Sequence, residues 1–140
     1  MGVGDFDTKA AIIVRDDLAQ WQRLNVAAFL ISGVVGGAGE VLVGEPYQDA
    51  DGRRYLPMLR QPVLVFEASA EELRTAHRRG LARGLAVVIY TKELFATGGD
   101  DDNRAAVRSV PTAELDLVGL GLLAPHRDAD AVLRGLRRHP

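Results

Sequence analysis

The chain switches repeatedly between two hydrophobic periods, and each switch marks an element. Residues 9–14, KAAIIV, form a short continuous apolar run, the pattern of a strand covered on both faces. The run breaks at Arg15-Asp16-Asp17, and from there Leu18, Trp21, Leu24, Ala28, Ile31 and Val35 recur every three or four residues. With Ala27, Phe29 and Leu30 widening the stripe, this spacing predicts a deeply buried helix. Asp17 followed by Gln20 fits a capping box at its start, where a carboxylate also meets the positive end of the helix dipole. The glycines from Gly33 to Gly39 follow a helix, whereas a phosphate-cradling loop precedes one. They are expected to form a C-cap and turn.

Further along, EVLVGEPY, RRYLPM and QPVLVFEA read as strand-like segments within residues 40–68. Asp49-Ala50-Asp51-Gly52 lies between the first two and lacks the third acid and closing glutamate of a calcium loop, so a hairpin turn is expected. Ser69 and Glu72 form a second capping box. The helix it opens runs to about Arg83, turns Leu73, Ala76, Gly80 and Leu81 inward, and stops at Gly84. A buried strand follows at 85–90, LAVVIY, then a polar connection with one or two short helices, with one of Asp100, Asp101 and Asp102 capping the helix that holds Arg104 to Val107. The last strand is 116–124, DLVGLGLLA, where Gly119 and Gly121 imply close approach of a neighbouring backbone or a ligand. A closing helix begins near Asp128 and ends among Arg134, Arg137 and Arg138. The alternation predicts one α/β domain over 1–140, a layer fold with a largely parallel sheet.

Composition narrows the possible functions. The 140 residues suit one domain with a substantial core. A formal charge of −2 lacks the concentrated basic surface of a nucleic-acid binder. The 15 arginines against 2 lysines reflect composition bias. Zero cysteines exclude disulfides, thiol nucleophiles and Cys-ligated metal. The first residues, MGVGDFDTK, do not read as a signal peptide, and no stretch reads as long enough to cross a bilayer, so a cytoplasmic protein is expected. No cofactor is implied.

Ligands in such sheets bind beyond the carboxyl ends of strands. That rule selects Arg15, Asp16 and Asp17 after the first strand and Tyr90, Thr91 and Lys92 after LAVVIY, with Asn25 facing the same crevice or its rim. Asp16 could serve as a general base and Lys92 as an electrostatic stabiliser; the competing reading is a structural ion-pair group of Arg15, Asp16 and Lys92. His77, His126 and His139 show no zinc-like spacing. His77 reads as a packing histidine, and His126, after the last strand, is the one worth testing. Asp100 to Asp102 read as a solvated turn, and no Ser-His-Asp order is present.

IIVRDDLAQWQRLNVAAFL, GEPYQDADGRRYLPMLRQPVLVFEAS, VIYTKELFATG and DLVGLGLLAP together resemble a bacterial family catalogued as a domain of unknown function, DUF two-thousand. That family in turn looks like a relative of the type II peptidyl-tRNA hydrolases, which are commonly homodimers, and the likeness implies their fold, a three-layer α/β/α sandwich around a small mixed, mostly parallel sheet. Arg15-Asp16-Asp17-Leu18 and Ala27-Ala28 carry the likeness. The same matching sets Asn25 where the hydrolases have a lysine and Phe29 where they have a glutamine. It also finds no counterpart of their later Asp-Ala-Gly-x-Thr at Tyr90 to Leu94. Three functional expectations follow: a homodimeric protein binding a small polar ligand in the strand-end crevice, a hydrolase or transferase acting on an acyl or amide bond, and a structural dimer whose surface is its function.

Overall fold

A computed structural model describes residues 6–140, so the start of the MGVGDFDTK segment, residues 1–5, lies outside the described residues. The elements in chain order are β1 (Thr8–Arg15), α1 (Gln20–Ala38), β2 (Tyr47–Gln48), β3 (Arg54–Tyr55), β4 (Val63–Ala68), α2 (Ala70–Ala82), β5 (Val87–Thr91), α3 (Asp100–Arg108), β6 (Leu117–Pro125), α4 (His126–Leu133) and β7 (Arg137–Arg138). The main sheet has the order β5-β6-β1-β4-β7. Strand β1 lies at its centre, and every residue from Ala10 to Arg15 is buried, as its continuous apolar run predicts.

Alternation along β1 divides the core in two. Ala11 and Ile13 face Leu73 and Ala76 of α2 and Ala129 and Val132 of α4. Ile12 and Val14 face Val26 and Leu30 of α1. The result is the expected α/β/α sandwich around a mixed sheet. The parallel majority is corrected: β1–β4 is the parallel pair, while β1–β6, β5–β6 and β4–β7 run antiparallel. The antiparallel character comes from β6, which lies between β1 and β5 and runs against both. Its apolar run reads the same in either direction, so the sequence alone does not orient it.

Helix α1 sits in a trough that glycine opens in the sheet. On the face it covers, Gly119 lies between Tyr90 and Val14, and Gly121 lies between Val88 and Ile12. A Cβ built on Gly119 would stand 2.5 Å from Cγ1 of Val26 and 2.9 Å from Cδ1 of Leu30. The close approach at these glycines is therefore made by side chains of a helix, where a neighbouring backbone or a ligand was expected. A Cβ on Gly33 would stand 2.5 Å from Cγ1 of Val88, so the helix in turn gives way to the strand.

This seating corrects the predicted face of α1. Its buried line is Val26, Leu30 and Val34, whereas Trp21 is 60 % exposed, Leu24 65 % and Phe29 52 %. The helix is apolar nearly all round, so periodicity alone did not select the side that the trough accepts. Within residues 20–42 an 18-residue stretch has a mean hydropathy of 1.5, and the segment is long and apolar enough to cross a membrane by length and composition. That corrects the expectation that no stretch is. In the fold, this helix instead packs one line of its surface on the sheet.

Helix starts and stops are partly as read. Ser69 Oγ accepts from Glu72 N–H at 3.1 Å, and Glu72 Oε1 accepts from Ser69 N–H at 2.9 Å, which holds the Glu72 carboxyl below its usual range. Gly84, with φ +70°, follows α2, but Leu81 is 45 % exposed and not inward. Helix α1 continues through Gly33, Gly36 and Gly37 and stops at Gly39, φ +68°. Its start is corrected as well: Ala19 is the N-cap, and Gln22 Oε1 accepts from its N–H at 3.0 Å. For α3, the N-cap is Gly99, not an aspartate, and Asp100 to Asp102 occupy its first turn.

The closing helix spans only His126–Leu133. Gly135, φ +85°, turns the chain, and Arg137 and Arg138 pair with β4 as an edge strand. His77 is buried, and desolvation pulls its pKa down, which fits a packing histidine. The Asp49–Gly52 segment is the expected hairpin turn, closed by Gly52 N–H to Asp49 O at 3.0 Å.

Candidate functional site

Strands β1, β4 and β5 point the same way, so their carboxyl ends share one edge of the sheet. Arg15 is the buried charge at that edge. Its Nε donates to Asp17 Oδ1 at 2.7 Å, and its Nη1 donates to Asp116 Oδ1 at 2.8 Å and to the Leu117 carbonyl at 3.1 Å. Burial alone would lower the Arg15 pKa, but hydrogen bonds to the two carboxylates outweigh it and the net direction is upward. One guanidinium thus ties the end of β1 to the start of β6, and it occupies the Asp17 carboxylate that the sequence assigned to helix capping.

Asp16 and Lys92 leave strands separated by β6, about 10 Å apart at ordinary strand spacing. The Asp16 backbone N–H extends the parallel ladder to Ala68 O at 2.9 Å. Its carboxylate accepts from Arg137 at 3.4 Å, and its carbonyl accepts from Arg23. Lys92 is exposed, and its backbone N–H donates to Asp116 O at 2.9 Å. Among the described residues Lys92 forms no ion pair; the edge carries instead Arg15 with Asp17 and Asp116, and Arg137 with Asp16, Glu67 and Glu72. Thr91 is buried with no hydrogen-bond partner for Oγ1 among the described residues.

Asn25 and Tyr90 do come together. They line a crevice of about 340 Å³ between α1 and the segment from Leu94 to Asn103, together with Trp21, Phe29, Phe95 and Asn103. The four rings touch in sequence. Trp21 meets Phe95 edge-on at 5.6 Å between centroids, Phe95 meets Tyr90 at 5.2 Å, and Tyr90 meets Phe29 at 5.9 Å. Half of the chain's eight aromatic side chains stand on this one wall. Tyr90 is only 7 % exposed. Burial pushes its phenol pKa up, with no hydrogen bond contributing to the shift.

Phe29, Tyr90, Leu94 and Asn103 also border a neighbouring groove of about 430 Å³ that reaches Arg104 and Arg108. On the opposite flank of α1, a larger and more apolar groove of about 620 Å³ runs over Val14, Leu18, Leu24 and Val65, with Arg23 and His139 at its polar side. His126 contacts the Phe6 carbonyl. Among the described residues, no three His, Asp or Glu side chains are grouped to hold a metal ion.

A family model described as a protein of unknown function, DUF2000, matches residues 8–140. The chain belongs to this family. It is also similar to the solved structure of a protein of unknown function from Agrobacterium tumefaciens strain C58, with 43 % identity over 96 % of this chain and 99 % of that one, and a TM-score of 0.93. No curated protein is matched. The similarities therefore fix the DUF2000 fold and name no reaction.

Within this DUF2000 chain, sequence reasoning found Asn25 and Tyr90 but assigned Trp21 to the core and counted Phe29 in the buried stripe. One signal was available. Trp21, Asn25 and Phe29 are spaced by four and so share one line of the helix. A polar amide between two large rings on that line conflicts with burial. Phe95 and Asn103 carried no comparable signal, because each sits in a polar connection whose path depends on the fold.

Proposed function

We propose that this protein is a cytoplasmic binder of a small polar ligand, held in the aromatic crevice between α1 and the 94–103 segment. The observation that carries this reading is the continuous wall of Trp21, Phe95, Tyr90 and Phe29, with Asn25, Asn103 and Thr97 as polar neighbours in the same crevice. Trp21 and Phe29, left half exposed, each forgo about half of the roughly 1.5–3 kcal/mol that full burial gives, and exposed apolar groups gathered in a cleft characterise binding sites. Acyl or amide chemistry, which would need Asp16 and Lys92 on one bond, has less geometric support.

Trp21 is the only tryptophan, so its emission reports the crevice directly. In a panel of small metabolites followed by that emission and by thermal shift, at least one compound is expected to bind saturably. Its affinity should fall about fivefold in Asn25→Ala, the cost of one hydrogen bond of about 1 kcal/mol. Binding that ignores both Asn25→Ala and Phe29→Ala would locate the site elsewhere.

A second reading is a homodimer joined through the arm between α1 and β4. Leu56 is 86 % exposed, Val41 73 % and Met58 61 %. The base of the arm is closed by Gly44 N–H to Met58 O at 2.9 Å and Arg60 N–H to Leu42 O at 3.0 Å. A surface this apolar gains by burial against a second copy. Sedimentation velocity is expected to give a dimer that Leu56→Glu with Met58→Glu converts to monomer. A monomeric wild type at every concentration would remove this reading.

A further inference from the structure

We infer that the ligand group received by the aromatic crevice is an organic cation, a quaternary trimethylammonium. This rests on the crevice being the binding site and specifies what it binds. Three features support it.

The first is ring geometry. Successive rings along the wall are inclined to one another by 70°, 46° and 57°. A flat ligand is best held between parallel faces, and these neighbouring rings offer none. A compact, roughly spherical cation is attracted to the electron-rich face of any ring it approaches, so mutually tilted rings suit it.

The second is charge. Asp100 is the one charged residue lining the crevice among the described residues. With Asp101, Asp102 and Arg104 it leaves residues 100–104 at net −2. Arg104 pairs with Asp100 and Asp101 at 2.5 Å each and borders the neighbouring groove, not this one. An anion would meet that acidic turn with no cation in the lining to offset it, even though the first turn of α3 supplies backbone donors there.

The third is the polar inventory. Tyr90 is more than nine-tenths buried, lines the crevice and has no hydrogen-bond partner for its hydroxyl among the described residues. Asn25 and Asn103 are neutral amides. Such a set can accept from a hydroxyl carried by the ligand, but besides Asp100, which is already paired with Arg104, it offers a primary ammonium only neutral oxygens, which replace its strong hydration less well than several carboxylates would. A quaternary, trimethylated ammonium has no N–H to satisfy and is only weakly hydrated, so aromatic faces suffice.

Choline and its carbon isostere, with a tert-butyl group in place of the trimethylammonium, separate charge from shape. Both are titrated against the full-length protein while Trp21 emission is read. Choline is expected to bind saturably and about tenfold more tightly than the isostere, and Phe95→Leu, which keeps apolar bulk but removes a ring face, should erase most of that ratio. Equal affinity for the two probes would overturn the cation assignment while leaving the crevice a binding site. Absence of a saturable choline response would also overturn it. The metabolite panel then decides separately whether the crevice binds a neutral or anionic compound or nothing.

Discussion

Replacing Gly119 by valine is expected to destabilise the protein by about 3 kcal/mol, at the upper end for overpacking a core. Even the first added carbon would lie 2.5 Å from Cγ1 of Val26 and 2.9 Å from Cδ1 of Leu30. Val26 is fully buried, and a β-branched side chain in a helix has essentially one rotamer, so it cannot swing aside. Helix α1 must then lift from the sheet. Urea unfolding should show a lower midpoint, and Val26→Ala in the Gly119→Val background should restore part of the loss, a coupling expected of residues in contact. Gly36→Ala is the contrasting control. A Cβ there meets nothing within 4 Å, so the change should stabilise by up to about 1 kcal/mol through helix propensity. A Gly119→Val protein as stable as wild type would mean that α1 does not rest in this trough. Because α1 carries Trp21, Asn25 and Phe29, the same substitution should also weaken any ligand bound in the crevice.

The second large effect is expected at Arg15. Arg15→Met keeps the apolar stem and removes the guanidinium, which leaves the Leu117 carbonyl without that donor and releases Asp17 and Asp116. An unsatisfied buried carbonyl costs about 1–3 kcal/mol. The two carboxylate side chains are 60 % and 46 % exposed and can rehydrate, so their share is discounted to surface-pair values of about 1 kcal/mol together. A total loss of about 2–4 kcal/mol is expected in chemical unfolding. Arg15→Lys should recover only a fraction, because a single ammonium cannot reproduce the planar fork that reaches both aspartates. Asp17→Asn, at the exposed end, should cost less than about 1 kcal/mol. A neutral Arg15→Met would show that this edge is held by the backbone ladder alone. If Arg15 instead contacted the ligand directly, Arg15→Lys would spare stability and lose binding.

The two substitutions mark different depths of legibility. Gly119 and Gly121 were visible as glycines inside an apolar strand, a pattern that signals close approach. That the approaching body is α1 required knowing that β6 lies between β1 and β5. Arg15 was visible as a charge ending a buried run. Its partner Asp116 is 101 residues away in sequence, and no local pattern links the two. Lys92 was drawn into the candidate group because it follows a strand, a rule that brings groups together only when the strands are neighbours.

The sequence by itself determined the elements whose cause is local: the apolar run of β1, the reciprocal cap of Ser69 and Glu72, the Asp49–Gly52 turn and the stop at Gly84. In each, the interacting groups lie within a few residues, so side-chain type and backbone preference are sufficient. Tertiary structure decided the direction and order of the strands, and through them which line of α1 is buried. An apolar helix can present several faces to a core, and it was the trough beside Val14 and Tyr90 that selected Val26, Leu30 and Val34. That choice left Trp21, Asn25 and Phe29 on the open flank, where the chain's return through Phe95 completed the aromatic crevice.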